Sequence, residues 1–172
     1  MADRLGNRHS AGGGEPLSVI RFGREEMNQH ERPVEADVLP GEPVTLGADS
    51  EGKAVWAEYE DGYPVYVVKE ARGRGMDINT DEGFKVEPAS GANNDGPDLA
   101  PGLKASGGGL NVRVTAPADG GDETVEAGTA ITADADDGFV VGDDNGVYAL
   151  ADPNEPVVIA EGETEIIPVE VA

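Results

Sequence analysis

Cysteine is absent from the 172 residues, which excludes disulfides, thiolate nucleophiles and cysteine-ligated zinc. Basic side chains are scarce: 12 Lys+Arg stand against 35 Asp+Glu, a formal net charge of -23. Lysine occurs only at Lys53, Lys69, Lys85 and Lys104, and no base follows Arg113. A chain this poor in cations is unsuited to nucleic acid, where Lys and Arg must replace counterions along the phosphates. An anionic membrane surface would repel it as well. No apolar run approaches the roughly 20 residues of a membrane span, and the opening residues Met1 to Gly6 lack a signal-peptide stretch. The expectation is a soluble protein, intracellular or released by lysis. At 172 residues one domain, or one domain and an arm, is the natural size.

What is present in excess is carboxylate, glycine and short Val/Ile/Tyr runs. Gly 25 and Pro 12 fall just short of the roughly 25–30% of low-complexity chains. The runs between Gly, Asp, Asn and Pro clusters have the spacing of strands and turns. Charge divides the chain. Residues 1–33 balance Arg4, Arg8, Arg21, Arg24 and Arg32 against Asp3, Glu15, Glu25, Glu26 and Glu31, so the whole excess lies beyond them. Near molar salt the Debye length shrinks to about 3 Å, which screens such repulsion. The surplus charge then maintains solubility, as in halophiles. A hypersaline origin, with loss of structure at low salt, is therefore expected.

Residues 1–33 read as an N-terminal arm, with Gly12-Gly-Gly14 and one strand-like run, Leu17 to Phe22. The arm is either a loose tail or a segment ordered by a partner through strand addition. From Val34 to residue 172 the strand signals are dense. Val34–Val38, Pro43–Leu46, Lys53–Tyr59, Tyr63–Val68 and Phe84–Val86 come first. Asp61-Gly62 has the chemistry of a tight hairpin turn between the third and fourth of these. Residues 87–109 read as a long polar loop. Leu110–Val114, Thr124-Val125, Thr129–Ala133, Phe139–Val141, Val147–Leu150, Val157–Ile159 and Glu165–Val171 follow. Many short strands at close spacing predict an all-β fold: a compact barrel- or sandwich-like domain of short antiparallel strands with an extended arm.

No residue nominates itself for catalysis. His9 and His30 are the only imidazoles and both lie in the arm, whereas a catalytic base needs a rigid support. Asp134-Ala-Asp-Asp-Gly138 fails the calcium-loop pattern, since glycine comes fifth and Asn145 stands twelfth, and it reads as a turn. Arg72-Gly-Arg74 is the only basic pair in the body, best suited to an inter-subunit ion pair. Trp56 lies in a strand-like run and is expected in the core.

The order of motifs resembles the head decoration, or capsid cement, proteins of tailed viruses. Val34-Glu-Ala-Asp-Val-Leu-Pro-Gly-Glu-Pro-Val-Thr-Leu46 is similar to their opening strand, Pro-Gly turn and second strand. Tyr63–Glu70, Gly73–Ile78 and Gly83–Pro88 are similar to the segments that follow. Gly109–Val114 and then Val125-Glu-Ala-Gly-Thr129, a strand, Asp137-Gly138 and a strand to Val141 match the closing half. Each motif alone is strand and turn chemistry; their order carries the weight. The resemblance implies a non-enzymatic β-domain without cofactor on the outside of an icosahedral head. It implies a homo-oligomer, a trimer favoured, that clamps neighbouring major capsid protein subunits through multivalent contact. The acidic bias fits a virus of a halophilic archaeon, with the protein made in the host cytoplasm and ending in the virion. The arm supplies the candidate contacts: Leu17, Val19, Ile20 and Phe22 as apolar anchors, and Arg21, Arg24 and Arg32 for acidic neighbours. The alternatives are another virion part (vertex turret, tail or baseplate subunit) or a halophilic ligand-binding module whose Trp56, Tyr59, Tyr63 and Tyr66 line a sugar platform.

Overall fold

The computed structural model describes residues 19–22, 29–71, 74–88, 96–104, 108–142 and 149–171. Among the described residues thirteen strands account for the regular structure. In chain order they are β1 Ile20–Phe22, β2 Gln29–Pro33, β3 Pro43–Ala48, β4 Ala54–Glu58, β5 Tyr66–Val68, β6 Leu99–Lys104 and β7 Gly108–Thr115. Then follow β8 Glu123–Val125, β9 Ala130–Asp134, β10 Gly138–Val141, β11 Ala149–Ala151, β12 Val157–Ile159 and β13 Thr164–Val171. No α-helix occurs among the described residues. The fold is all-β, as the spacing of runs and turns predicts.

Five strands close a barrel in the order β7-β10-β9-β11-β13, with β13 returning to β7 over the length of both strands. Every pairing is antiparallel except β7 with β10, which meet in parallel at Val114 and Phe139. Closure removes the free edges that a strand sheet otherwise exposes. Alternation sets the interior: Val112, Val114, Ile131, Phe139, Ile167 and Val169 are wholly buried together. The ribbon β8–β12 adds Val125 and Ile159 to the same core.

The remaining strands form a second antiparallel sheet, β2-β6-β5-β3-β4. It curls until its far edge meets the residue after β2, in a parallel bridge between Val34 and Trp56. Trp56 fills the centre, 1% exposed, with Val34, Val38, Val44, Val68, Phe84 and Ala100 around it. The other face packs on the barrel through Val67 and Leu103. Burial on both faces explains why β5 reads as an uninterrupted Tyr-Val-Val rather than an alternation.

Four expectations need correction. The Lys53–Tyr59 and Tyr63–Val68 runs do not form a hairpin. β4 and β5 pair with opposite edges of β3, and the Asp61-Gly62 turn lies in the loop that crosses between those edges. The doubly buried β5 needs neighbours on both sides, and β6 and β3 supply them. The polar passage 87–109 contains β6, paired on both sides. Its strand signal is weak because Pro101 and Gly102 stand where β-branched residues would be expected, and Gly102 leaves room for Trp56. The described residues of 1–33 hold two strands, not one: β2, Gln-His-Glu-Arg-Pro, pairs with β6 despite having no apolar alternation. Conversely, Val34–Val38 and Phe84–Val86 are not strands: Val34 makes an isolated parallel bridge to Trp56, and Val38 and Phe84 bridge each other.

Candidate docking surface and inter-sheet cleft

The expected arm contacts fall in different places. Val19 is wholly buried in the barrel core, its N–H donating to the Glu70 carboxylate at 3.0 Å and its carbonyl accepting from Asn111 N–H at 2.6 Å. Ile20 is half-buried against the same core. Arg21 and Phe22 lie on the backbone of β1, which pairs with β7. Arg32, on β2, lies half-buried with its guanidinium 5.3 Å from the Trp56 ring centroid. Its Nε is buried without a hydrogen-bond partner. Leu17 and Arg24 lie outside the described residues. The chain thus spends Val19, and part of Ile20 and Arg32, on its own packing.

The four aromatics do not make a platform. Trp56 donates from Nε1 to the Ala100 carbonyl at 2.9 Å and packs at 5.0 Å from the Tyr66 ring, inside the curled sheet. Tyr59 packs on the barrel core, and Tyr63 alone stands free, at 52% exposure. Arg74 does not await another subunit: it pairs with the buried Asp98 and lies over Phe84. Asp98 also accepts from Lys85 N–H at 2.9 Å, so it ties two loops together. Arg72 lies outside the described residues.

Arg113 was not singled out by its pattern, yet it joins the two sheets. It stands on β7, and its backbone N–H donates to Gly41 at 3.0 Å. Its side chain donates to the carbonyls of Pro40, at 2.9 Å, Ile78 and Thr80, the last at 2.9 Å. Gly41 has φ +91, and an added Cβ would sit 3.3 Å from both Arg113 Cγ and Ile78 Cδ1. Burial lowers the Arg113 pKa from its ordinary value, against the pull of Glu42, Asp81 and Asp77. The available signal was a lone base among Val112, Val114 and a Lys/Arg-free remainder.

Beside this joint a cleft of about 330 Å³ opens between the sheets. One wall is Ala36–Val38, Glu42–Val44 and Trp56–Tyr59; the other is Thr115 and the β9–β10 turn, Asp134–Gly138. Asp37, Glu42, Glu58, Asp134, Asp136 and Asp137 line it, and no lining residue is basic. A second hollow of about 230 Å³ shares Asp37, Val38 and Glu42 and reaches Asp81 and Lys85. Burial raises the Glu42 pKa, opposed by the Leu39 N–H at 2.8 Å and by Arg113. Asp37 is held low by the Lys85 ammonium, at 2.9 Å, and by Val86 N–H, at 3.0 Å; Lys85 is raised in return. Asp134 accepts from Asp136 and Asp137 N–H at 2.8 and 3.1 Å, an Asx-type turn rather than a calcium loop. Among the described residues no three His, Asp or Glu side chains converge on a point that would hold a metal ion. The groove presents hydrogen-bond acceptors and negative charge, the chemistry that receives guanidinium or ammonium groups. Compared with family models and with curated proteins, the sequence matches none.

Proposed function

We propose that the chain is a virion structural protein that binds the outer surface of an icosahedral capsid as a homo-oligomer, a trimer favoured. It clamps neighbouring major capsid protein subunits and carries out no catalysis. The observation that carries this reading is the order of strand and turn phrases from Val34 to Val171, which resembles the capsid cement proteins of tailed viruses. Its most specific phrase has a clear structural basis in this fold. Val125-Glu-Ala-Gly-Thr129 is a turn in which Thr129 Oγ1 accepts from Glu126 N–H at 2.9 Å and Gly128 N–H reaches the Ala151 carbonyl at 2.8 Å. The strand, Asp-Gly turn and strand after it are the β9–β10 hairpin. Polar side chains such as Asp98, Arg74 and Arg113 fasten loops to sheets, which suits a rigid clamp better than a reactive centre. Several weak contacts per oligomer then add through effective concentration.

The test is to mix the purified protein, in molar salt, with capsids stripped of their exterior proteins. Saturable binding and increased resistance of the heads to heating are expected. Binding to tails alone moves the protein elsewhere in the virion, and no binding to any virion part overturns the reading.

A further inference from the structure

Three bases share one face of the curled sheet. Residues opposite each other in an antiparallel pair project to the same side. His30 stands opposite Gly102 and Arg32 opposite Ala100; Gly102 borders the Trp56 indole and Ala100 belongs to its cluster. Lys104 lies two residues beyond Gly102, opposite Tyr66, whose ring packs on Trp56. His30, Arg32 and Lys104 therefore lie on the Trp56 side. To that side β2, β5 and β6 contribute no carboxylate, since their one acid, Glu31, is opposite Pro101 and projects the other way. Leu46, opposite Trp56 and 44% exposed, adds apolar surface. His30 and Lys104 are exposed, and Arg32 is half-buried with its guanidinium set against the Trp56 ring.

What marks this face is the want of partners. Elsewhere the chain's own acceptors engage the described bases: Glu51 holds Lys53, Asp98 holds Arg74, Asp37 holds Lys85, and carbonyls hold Arg113. Lys69 has a partner as well. Among the described residues no carboxylate or carbonyl accepts from the side chains of His30, Arg32 or Lys104, in a chain with 35 Asp+Glu. An arginine already ordered on an aromatic ring loses little freedom when its outer amino groups take a carboxylate. The complement is on the chain itself. Asp37, Asp98 and Asp134 are engaged by their own loops. Glu163 and Glu165, where the chain enters β13, are exposed, and among the described residues neither carboxylate has a basic partner. They stand two residues apart, as His30 and Arg32 do, so both pairs present charge at about 6.8 Å along extended chain. Within one chain the two pairs do not meet. We propose that the face of His30, Arg32 and Lys104 docks Glu163 and Glu165 of a second copy of this chain. One surface meets a different one, so the contact is heterologous and closes a ring when its rotation allows. The proposal rests on the homo-oligomer of the preceding section and gives it an interface. Ion pairs enclosed between two surfaces are screened by molar salt less than exposed ones.

Sedimentation velocity of the full chain in molar salt reads the contact, with circular dichroism confirming the fold of each variant. Wild type is expected to be a symmetric oligomer. His30→Glu with Lys104→Glu, and separately Glu163→Arg with Glu165→Arg, change only exposed positions. Each double variant should assemble at least about tenfold more weakly. An equimolar mixture of the two should restore the oligomer, because intact surface then meets intact surface and reversed meets reversed. Arg32→Gln, which leaves the other two bases in place, should weaken assembly as well. Oligomers that survive either reversal, or a mixture that stays dissociated, would overturn this interface and leave the homo-oligomer standing. A monomeric wild type would overturn both. Reversals that spare the oligomer but abolish binding to stripped heads would overturn the second copy as occupant and give the face to the capsid.

Discussion

Trp56 holds the curled sheet together because strands on every side use it. Arg32 of β2 lies over its ring, Ala100 of β6 accepts its N–H, Tyr66 of β5 packs beside it and Val44 of β3 shares its cluster. Gly102 is the position that makes this possible: a Cβ there would lie 2.5 Å from Trp56 Cε2. Gly102→Ala must displace the indole, an overpacking that costs about 1–3 kcal/mol. Gly96→Ala, with nothing within 4 Å, should leave stability close to wild type. Denaturant midpoints in molar salt, read by the fluorescence of the single tryptophan, compare the two. Glu42 gives a second test at this scale. A carboxyl whose folded pKa is raised favours folding while protonated, and that contribution is lost as pH rises through the folded value. At neutral pH Glu42 therefore carries a burial penalty. Glu42→Gln should be more stable than wild type at pH 7, with the gain vanishing as the pH falls into the carboxylate range. The exposed Glu58→Gln controls for the change in net charge. Asp37, held low by Lys85, acts in the opposite sense: its support is lost as pH falls through its folded value.

At the scale of elements, the joint between sheets depends on one side chain from β7. Arg113 satisfies carbonyls of the Pro40–Gly41 turn and of Ile78 and Thr80. Arg113→Met keeps most of the stem and leaves those carbonyls without their donor, a loss of about 1–3 kcal/mol. Hydrogen exchange should show where the loss falls. Amides bonded across the joint, such as Gly41 and Arg113, should exchange faster, while Val112 and Val169 deep in the barrel stay protected. Uniform loss of protection over both sheets would mean that Arg113 supports the whole fold rather than the joint. The element scale is also where sequence patterning misled. β2 and β6 carry Pro33, Pro101 and Gly102 and few β-branched residues, yet they pair with each other along five positions. Their strand character comes from neighbours that supply partners and from the space Trp56 needs. Neither is visible in a local window.

For the whole molecule the governing quantity is a net charge of -23. Lys53–Glu51 and Lys85–Asp37 are exposed ion pairs. Exposed pairs contribute little, and 12 Lys+Arg are too few to offset the mutual repulsion of 35 Asp+Glu. As the Debye length grows from about 3 Å at 1 M to about 10 Å at 0.1 M salt, that repulsion acts across the surface. Circular dichroism and scattering during dialysis from molar to low salt should record expansion and loss of strand signal, reversed when salt is restored. An unchanged spectrum at low salt would refute the expectation that the acidic surface is suited to brine.

Fold class and the partition of charge follow from local patterning and composition. Period-two runs such as Leu110–Val114 and Glu165–Val171 bury one face only as strands, and turn residues at Pro40-Gly41 and Asp137-Gly138 interrupt them because they suit few other conformations. The balance of Arg and carboxylate in residues 1–33 is likewise a property of composition. Which strands pair, and therefore what lies between them, is set by packing across the whole fold. Pairing depends on contacts between residues far apart in the chain: β4 and β5 separate around β3, Val19 enters the barrel core, and Arg113 reaches the turn at Pro40. The acidic cleft follows from the same cause. Its walls, Ala36 to Tyr59 and Thr115 to Gly138, come from distant stretches, and their carboxylates form one surface only because the curled sheet docks on the barrel.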